Sequence, residues 1–255
     1  MRQLFLFGGG FSRFERLSES FVKAAGGTSA RIGLLFSDRE HIGSYFNRYA
    51  SAWSKLGATV VAISPDPDGK LPPSELRVLC ECTGVFMGGG NTRRYHEVYA
   101  NGDTRAAIID LYRSGRPYGG LSAGALVVPS TCLVWGDLIS SKAGVFFVGG
   151  SESGCAVPVI LDVGLGLIDE MIIETHFTSR SGFPRLSSAL ERSGIPFGLG
   201  IDDDICVSVT DERLISVEGL GRCYLFRRDM QRGSIEVRLV DPSGDSTDLK
   251  NVWGL

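Results

Sequence analysis

Residues 118–128 read Tyr-Gly-Gly-Leu-Ser-Ala-Gly-Ala-Leu-Val-Val, a short apolar run that turns at a serine into a second apolar run. Gly120 to Gly124 fit the pattern G-x-S-x-G, which places a serine on a sharp turn between a strand and a helix. The flanking residues must be small because the backbone is crowded at such a turn. In an open parallel sheet, ligands bind at the carboxyl edge where these turns lie. The stretch therefore predicts an α/β fold with Ser122 as a candidate nucleophile.

The chain before this turn alternates between short apolar runs and amphipathic stretches. The apolar runs that predict strands are residues 3–7, 31–36, 58–63 and 84–87. Helical spacing of apolar side chains predicts helices at residues 11–25 and 39–56, and a third helical stretch after Asn91. That stretch is expected to break at Asn101-Gly102, with Asp103 as the cap of its second piece. This alternation predicts a mostly parallel sheet with helices on both faces.

The second half of the chain is richer in strand patterns. These strands are predicted at residues 168–174, 205–209, 213–217, 222–227 and 234–240, and the last three resemble an antiparallel meander. A helix is predicted at about residues 184–193. No repeat or low-complexity linker interrupts the sequence, so residues 1–255 are interpreted as a single domain.

Composition narrows the class of protein. The 255 residues are 43% hydrophobic and 22% charged with a net charge of -3, which is ordinary for a globular protein and gives no basic surface for nucleic acid or anionic membranes. No apolar stretch is long enough to span a membrane, and Leu4–Phe7 is too short for a signal-peptide core. Six cysteines without a C-x-x-C pair and three dispersed histidines predict reduced thiols and neither metal nor cofactor. We expect a soluble cytoplasmic protein.

A serine nucleophile needs a base, and His176 follows Ser122 just beyond a predicted strand. His41 and His96 fall in helical stretches and are interpreted as structural or surface residues. The carboxylate that would orient the imidazole is left open by the residues alone. The candidates are Asp202, Asp203 and Asp204 after a probable strand end, together with Glu174 and Asp137.

A second glycine-rich turn, Gly88-Gly89-Gly90-Asn91, ends one predicted strand and opens a helix. Its backbone amides, with the amide of Ala123, are candidates for an oxyanion hole. A phosphate cradle is the rival interpretation, but the turn lacks the G-K-[ST] ending of a P-loop.

Taken together and in order, these motifs resemble peptidase family S51, which includes aspartyl dipeptidase (peptidase E) and cyanophycinase. The resemblance spans roughly residues 3–210 and is carried by Gly88–Thr92, Pro117-Tyr118, Gly120–Ala125, His176-Phe177 with Arg180 and Arg185-Leu186, and Gly200–Asp203. It implies a flavodoxin-like fold similar to the class I glutamine amidotransferases, with serine replacing their cysteine. It also implies a homodimer.

The resemblance implies roles for single residues. Ser122 would be the nucleophile, His176 the base and Asp203 the orienting acid, at a position where cyanophycinase-like members usually carry Glu. Asp137 is the second choice for that acid. The amides of Gly89, Gly90 and Ala123 would form the oxyanion hole.

The substrate implied by the family is a small acidic or isoaspartyl peptide. Arginine pairs a substrate carboxylate well, and Arg180 matches the first family arginine after the His-Phe pair. Asn91, Arg93 and Thr175 are the other expected substrate contacts. Gly182 replaces a second arginine of the cyanophycinase branch, Thr175 replaces a common Gln, and Arg93 stands where an apolar residue is usual. These departures favour a peptide other than cyanophycin.

The sequence thus predicts a serine peptidase that hydrolyses α- or β-linked aspartyl bonds through an acyl-enzyme. One alternative is a serine amidase, esterase or acyltransferase of a specialised pathway. The other is a non-catalytic binding protein on the same scaffold. An α/β-hydrolase would normally place its acid before its histidine, whereas here the best acid follows His176.

Overall fold

The structure is a computed structural model that describes residues 1–40, 42–134, 145–148, 157–243 and 245–249. The helices are α1 (Phe14–Leu17), α2 (Glu19–Ala24), α3 (Ile42–Ser54), α4 (Pro73–Cys80), α5 (Thr92–Tyr99), α6 (Gly102–Arg113), α7 (Ala123–Leu126) and α8 (Gly182–Ser193). The strands of the first half are β1 (Gln3–Phe7), β2 (Arg31–Leu35), β3 (Thr59–Ile63), β4 (Gly84–Met87), β5 (Tyr118–Leu121), β6 (Thr131–Val134) and β7 (Val145–Val148). Those that follow are β8 (Val157–Val163), β9 (Met171–Thr175), β10 (Phe197–Ile201), β11 (Ile205–Thr210), β12 (Leu214–Gly219), β13 (Cys223–Arg228), β14 (Ile235–Val240) and β15 (Thr247–Asp248).

The main sheet confirms the predicted mostly parallel α/β architecture. Its strand order is β15-β12-β11-β1-β5-β4-β2-β3, and the five strands from β1 to β3 in this order run parallel. Because these strands are parallel, the residues after β1, β4 and β5 meet at one edge of the sheet. Gly8, Gly88 and Ser122 begin the three turns at that edge.

Helices cover both faces of this sheet. On one face, Phe21 and Trp53 from α2 and α3 pack against Phe86 of β4 in an aromatic cluster. On the other face, Tyr99 from α5 and Leu111 from α6 pack in a second apolar cluster that also contains strand side chains. The buried apolar runs of the central strands fit this arrangement, since a parallel sheet is normally covered on both faces.

A second sheet, in the order β14-β13-β10-β9, carries the other side of the candidate site. Its β9 and β10 are parallel, so their carboxyl ends also meet at one edge. The C-terminal strands are antiparallel, but they form two hairpins rather than one continuous meander. The β12 strand pairs with β11 in the main sheet, whereas β13 and β14 pair in the second sheet.

Several local features differ from the sequence predictions. Asp103 lies in the first turn of α6, and Asn101 occupies the cap position. The β9 strand begins at Met171, because Ile168 instead forms an isolated bridge with Pro129. Helix α4 and the small sheet of β6, β8 and β7 were not predicted. Among the helices that the structure describes, none combines the length and the apolar character that crossing a membrane requires.

Candidate active site

Ser122 lies on the predicted sharp turn between β5 and α7. Its backbone has φ of 53° and ψ of -109°, a conformation that costs free energy for a non-glycine residue. The amide of Ser122 donates to the carbonyl of Phe7 at 2.9 Å and ties the turn to β1. A Cβ on Gly120 would lie 2.4 Å from the carbonyl oxygen of Gly124, and one on Gly124 would lie 2.2 Å from that of Met87. The two motif glycines are therefore required by close backbone approach.

The imidazole of His176 bridges the serine and a carboxylate. Its Nε2 lies 2.9 Å from Ser122 Oγ, and its Nδ1 lies 2.5 Å from Asp203 Oδ1. The second carboxylate oxygen of Asp203 accepts from Ser179 Oγ at 2.8 Å. These contacts assign the ring proton to Nδ1 and leave Nε2 as the acceptor facing Ser122. The arrangement has the geometry of a Ser–His–Asp triad.

The other described acidic candidates have different partners. Asp202 accepts from the backbone and the hydroxyl of Thr178 at 2.8 and 2.7 Å. Asp204 accepts from Ser12 Oγ at 2.6 Å. Of the three consecutive aspartates, Asp203 is the one in contact with the imidazole.

Gly9, the middle residue of the glycine triplet 8–10 that follows β1, is part of the site although it was not a predicted site residue. A Cβ at this position would lie 2.2 Å from both His176 Cε1 and Asp203 Oδ1. The carbonyl of Gly8 accepts from the His176 amide at 3.1 Å. The backbone after β1 thus packs directly against the imidazole. A glycine triplet after a strand that borders the nucleophile strand is the sequence signal that could have indicated this.

Burial sets the protonation state of the base. Burial of the ring lowers the pKa of His176 below its usual value, and this effect outweighs the carboxylate of Asp203, which raises it. The neighbouring Arg180 lowers it further. His176 is therefore neutral near pH 7 and able to accept a proton from Ser122.

A small pocket of about 180 Å³ opens beside Ser122. It is lined by Gly90, Asn91, Thr92, Ser122, Leu126, Glu174, Thr175 and Arg180. Arg180 is exposed at this pocket, whereas Thr175 is buried. The pocket is smaller than the 300 Å³ or more of a typical drug-sized site, so it suits a single side chain.

Glu174 lines this pocket as half of a buried ion pair. Its Oε2 lies 3.1 Å from Arg185 Nε, its Oε1 accepts from the Thr175 amide at 3.1 Å, and its residue is 1% exposed. Arg185 Nη1 also donates to the carbonyl of Arg180 at 2.6 Å. Burial raises the pKa of Glu174 to about 7 despite the opposing effect of Arg185. Glu174 thus contacts Arg185 rather than His176.

The glycine turn after β4 borders the nucleophile. A Cβ on Gly89 would lie 3.6 Å from Ser122 Cβ, and Gly90 lines the pocket with a φ of 153°. Of the amides predicted to hold an oxyanion, that of Gly89 donates to the hydroxyl of Tyr49 at 3.2 Å. Asn91 caps α5, where its side chain accepts from the Arg94 amide.

Other predicted residues lie elsewhere. Arg93 is not among the lining residues of the pocket, and its Nε donates to Glu97 at 2.9 Å. His96 is buried with Nε2 2.9 Å from the carbonyl of Val163, which agrees with a structural role. Asp137 and His41 lie outside the described residues.

The mostly parallel α/β fold, with a serine, a histidine and a carboxylate in contact at the sheet edge, defines the class of a serine-type hydrolase. The model of the family described as peptidase family S51 matches residues 4–217. The chain belongs to this family.

Two curated relatives of the chain are cyanophycinases. A cyanophycinase of Geminocystis herdmanii (strain PCC 6308) is 29% identical over 211 residues, which cover 81% of this chain and 73% of that protein. A cyanophycinase of Trichormus variabilis (strain ATCC 29413 / PCC 7937) is 29% identical over 205 residues, which cover 79% of this chain and 65% of that protein. The chain thus spans about two thirds to three quarters of these relatives.

Among solved structures, a peptidase from an acI-B1 Actinobacterium superposes with a TM-score of 0.72. The superposition covers 98% of this chain and 97% of that chain at 15% sequence identity. Identity this low shows a shared fold and no more.

Proposed function

We propose that this protein is a serine peptidase that cleaves the peptide bond after an aspartyl residue, in α or β linkage. The observation that carries the proposal is the position of the small Arg180-containing pocket directly beside Ser122, which is itself in contact with His176. The substrate would be a small acidic or isoaspartyl peptide.

The charges around the pocket support an acidic side chain. The two guanidinium groups of Arg180 and Arg185 stand near the single carboxylate of Glu174. When Glu174 is ionised, one positive charge is left over, and one substrate carboxylate would balance it. An arginine forms charge-assisted hydrogen bonds with a carboxylate that a neutral side chain cannot form, so a neutral side chain would bind this pocket less well.

The reaction would begin with transfer of the Ser122 Oγ proton to His176 Nε2. Ser122 Oγ would attack the aspartyl carbonyl carbon, and the amides of Gly90 and Ala123 would donate to the developing oxyanion. The proton on His176 would then pass to the leaving amine as the C–N bond breaks. Water would attack the acyl-enzyme with His176 again as base, which releases the acid product and regenerates Ser122.

The names of the curated relatives add support for the peptidase class, but three positions argue for a different peptide. Thr175 lines the pocket where a Gln is usual in the family, and Gly182 replaces a second arginine. Arg93, the third position, is paired with Glu97 on α5. The family resemblance and these differences together favour a short aspartyl peptide over a long polymer.

The test is cleavage of a panel of α-aspartyl dipeptides, β-aspartyl dipeptides and branched β-Asp-Arg peptides, followed by mass spectrometry. Ser122→Ala should abolish turnover and leave the circular dichroism spectrum unchanged. A matched Asn panel, in which a carboxamide replaces the free carboxylate of each aspartyl residue (Asn in α linkage, isoasparagine in β linkage), should be cleaved at least about tenfold more slowly, because the arginine pair is lost.

Cleavage of the panel by Ser122→Ala at the wild-type rate would refute the assignment of the nucleophile. Equal cleavage of the Asn panel would refute the acidic pocket. No cleavage of any peptide, together with labelling of Ser122 by a fluorophosphonate, would instead favour a serine amidase, esterase or acyltransferase of a specialised pathway.

A further inference from the structure

Tyr49 lies on α3, a helix that contributes no residue to the pocket beside Ser122 in the part of the chain the structure describes. Its side chain is 1% exposed, yet its hydroxyl reaches the glycine turn after β4. There it accepts the hydrogen bond of the Gly89 amide at 3.2 Å. The hydroxyl of a buried tyrosine is thus hydrogen-bonded to a backbone amide in the turn beside Ser122.

The ring of Tyr49 is held from several sides. Its centroid lies 5.1 Å from that of Phe11, 5.2 Å from Phe14, 5.7 Å from Trp53 and 5.6 Å from Phe86. Closely packed interiors restrict a side chain to one rotamer, so the hydroxyl is a fixed point rather than a mobile acceptor. Burial also raises the pKa of Tyr49 to about 12, which keeps the hydroxyl neutral under assay conditions.

Besides the bond to Tyr49, the turn is held at its first residue, where the amide of Gly88 donates to the carbonyl of Leu35 at 3.3 Å. Gly88, Gly89 and Gly90 have no side chains, and glycine backbones reach conformations that other residues cannot. The φ of Gly90 is 153°, and a Cβ on Gly88 would lie 3.3 Å from the Tyr49 hydroxyl. Fixing the Gly89 amide therefore restricts the next peptide unit, whose N–H belongs to Gly90.

We propose that Tyr49 is a positioning residue for the oxyanion hole: by binding the Gly89 amide, it orients the Gly90 amide toward the oxygen that becomes negative when Ser122 is acylated. The inference rests on the proposed acyl-enzyme chemistry. It does not depend on which peptide is the substrate. It also gives Gly89 a role different from the donor role that its sequence position suggests.

The variant that tests this is Tyr49→Phe, which removes the acceptor and keeps the ring. The matched control is Tyr99→Phe. Tyr99 is also fully buried, and its hydroxyl donates to the carbonyls of Phe36 and Ile63, away from the glycine turn. Both variants remove one hydroxyl from a packed tyrosine, so a general loss of stability would affect them alike.

The measurement is the second-order rate of labelling by a fluorophosphonate, with the melting temperature of each variant. In this reaction Ser122 Oγ forms a bond to phosphorus, fluoride leaves, the serine proton passes to His176, and the phosphoryl oxygen takes the oxyanion position. Tyr49→Phe should be labelled about tenfold more slowly, less than the 10²- to 10³-fold cost of deleting an oxyanion donor outright. Tyr99→Phe should be labelled within about twofold of wild type.

For any peptide of the panel that is cleaved, Tyr49→Phe should lower kcat by the same factor and leave KM nearly unchanged, because the oxyanion is present in the transition state and not in the bound substrate. A merely structural tyrosine would not separate the two constants.

Labelling of Tyr49→Phe at the wild-type rate would overturn the inference, as would equal slowing in Tyr99→Phe. Amide hydrogen exchange on the wild-type protein keeps the test valid if Tyr49→Phe fails to fold. The Gly89 amide should exchange slowly, and free exchange would also overturn the inference. A wild-type protein that the probe never labels would refute the proposed function and remove the oxyanion that Tyr49 is inferred to serve.

Discussion

Substitution of Asp203 is the most direct test of the triad. Asp203→Asn should lower kcat by about 10⁴-fold, because an amide no longer holds the imidazole in the tautomer with its proton on Nδ1. The carboxylate of Asp203 also raises the pKa of His176. Its removal should therefore move the acidic limb of the pH profile of kcat/KM to lower pH. Both effects are measured in one series of initial rates between about pH 4 and 9.

The adjacent Asp204→Asn is the matched control for this prediction, because Asp204 binds Ser12 rather than the imidazole. It should retain kcat within about twofold, as expected of a substitution away from the reacting groups. An Asp203→Asn enzyme with near-normal kcat would show that another carboxylate orients His176.

The raised pKa of Glu174 predicts that substrate binding depends on pH. Its pKa is raised to about 7 by burial, so it is protonated below that pH and ionised above it. The charged groups around it are Arg185 on α8 and Arg180 at the pocket. As the pH rises through about 7, the net positive charge of this group falls, and KM for an aspartyl peptide should rise by roughly three- to tenfold.

The same KM profile in Glu174→Gln should be flat between about pH 6 and 8, since the titrating group is gone. An Asn-containing peptide serves as the control substrate, because a neutral side chain has little response to the pocket charge. A KM that rises equally for both peptides would assign the effect to another group.

Among the elements, the five strands from β1 to β5 could be predicted because each is a continuous apolar run that ends in a turn signal. The β1 strand and the β4 strand both match their predicted bounds, and each ends at a glycine triplet. Continuous apolar runs of this length are typical of parallel strands buried on both faces. Local pattern and tertiary burial agree there, so the prediction needed no knowledge of the partner strands.

Other elements were missed or placed in the wrong sheet. Helix α4 starts at Pro73 and was not predicted, although proline is common in the first turn of a helix. The strands β12 and β13 were placed in one meander because their patterns look alike. Their pairing with β11 and β10 in different sheets follows from long-range contacts that the pattern does not encode.

The site residues also divide into those that a local sequence pattern indicates and those that depend on long-range contacts. Ser122 and His176 could be located because each follows a strand that a pattern identifies. The choice of Asp203 among three consecutive aspartates depends on backbone direction, which the residue pattern does not encode, so only the family resemblance indicates it. Tyr49 was missed because its contact with Gly89 crosses 40 residues of sequence.

Over the whole molecule, the candidate site lies where two sheets meet. Ser122 follows β5 of the main sheet, whereas His176 and Asp203 follow β9 and β10 of the second sheet. The backbone after β1 joins them, since the Gly8 carbonyl accepts from His176 and the Gly9 carbonyl accepts from the Asp204 amide at 3.0 Å. Relative placement of the two sheets therefore determines whether the base reaches the nucleophile.

Substitutions at two neighbouring glycines, Gly8 and Gly9, distinguish the effect of the contact between the sheets on stability from the effect of the contact with His176 on catalysis. A Cβ on Gly8 would lie 2.1 Å from the carbonyl oxygen of Asp202, a backbone atom, so Gly8→Ala should force the sheets apart. It should lower the free energy of unfolding by about 3 kcal/mol. A Cβ on Gly9 would instead meet the side chains of His176 and Asp203, which can rotate away, although the φ of 158° at Gly9 is one that alanine rarely adopts. Gly9→Ala should therefore lose less stability than Gly8→Ala and lower kcat by at least about 10²-fold, the scale of a 1 Å misplacement.

Urea unfolding followed by circular dichroism, with fluorophosphonate labelling of the folded fraction, measures both quantities on the same samples. If the two sheets are joined rigidly through this backbone, Gly8→Ala should lose stability and Gly9→Ala should lose the reactivity of Ser122. Equal loss of stability in both variants would mean that Gly9 is held as firmly as Gly8, by its φ of 158° together with the imidazole and the carboxylate that pack against it. Normal labelling of Gly9→Ala would contradict the close packing of the β1 turn against His176, because no room for a methyl group exists there unless the base moves.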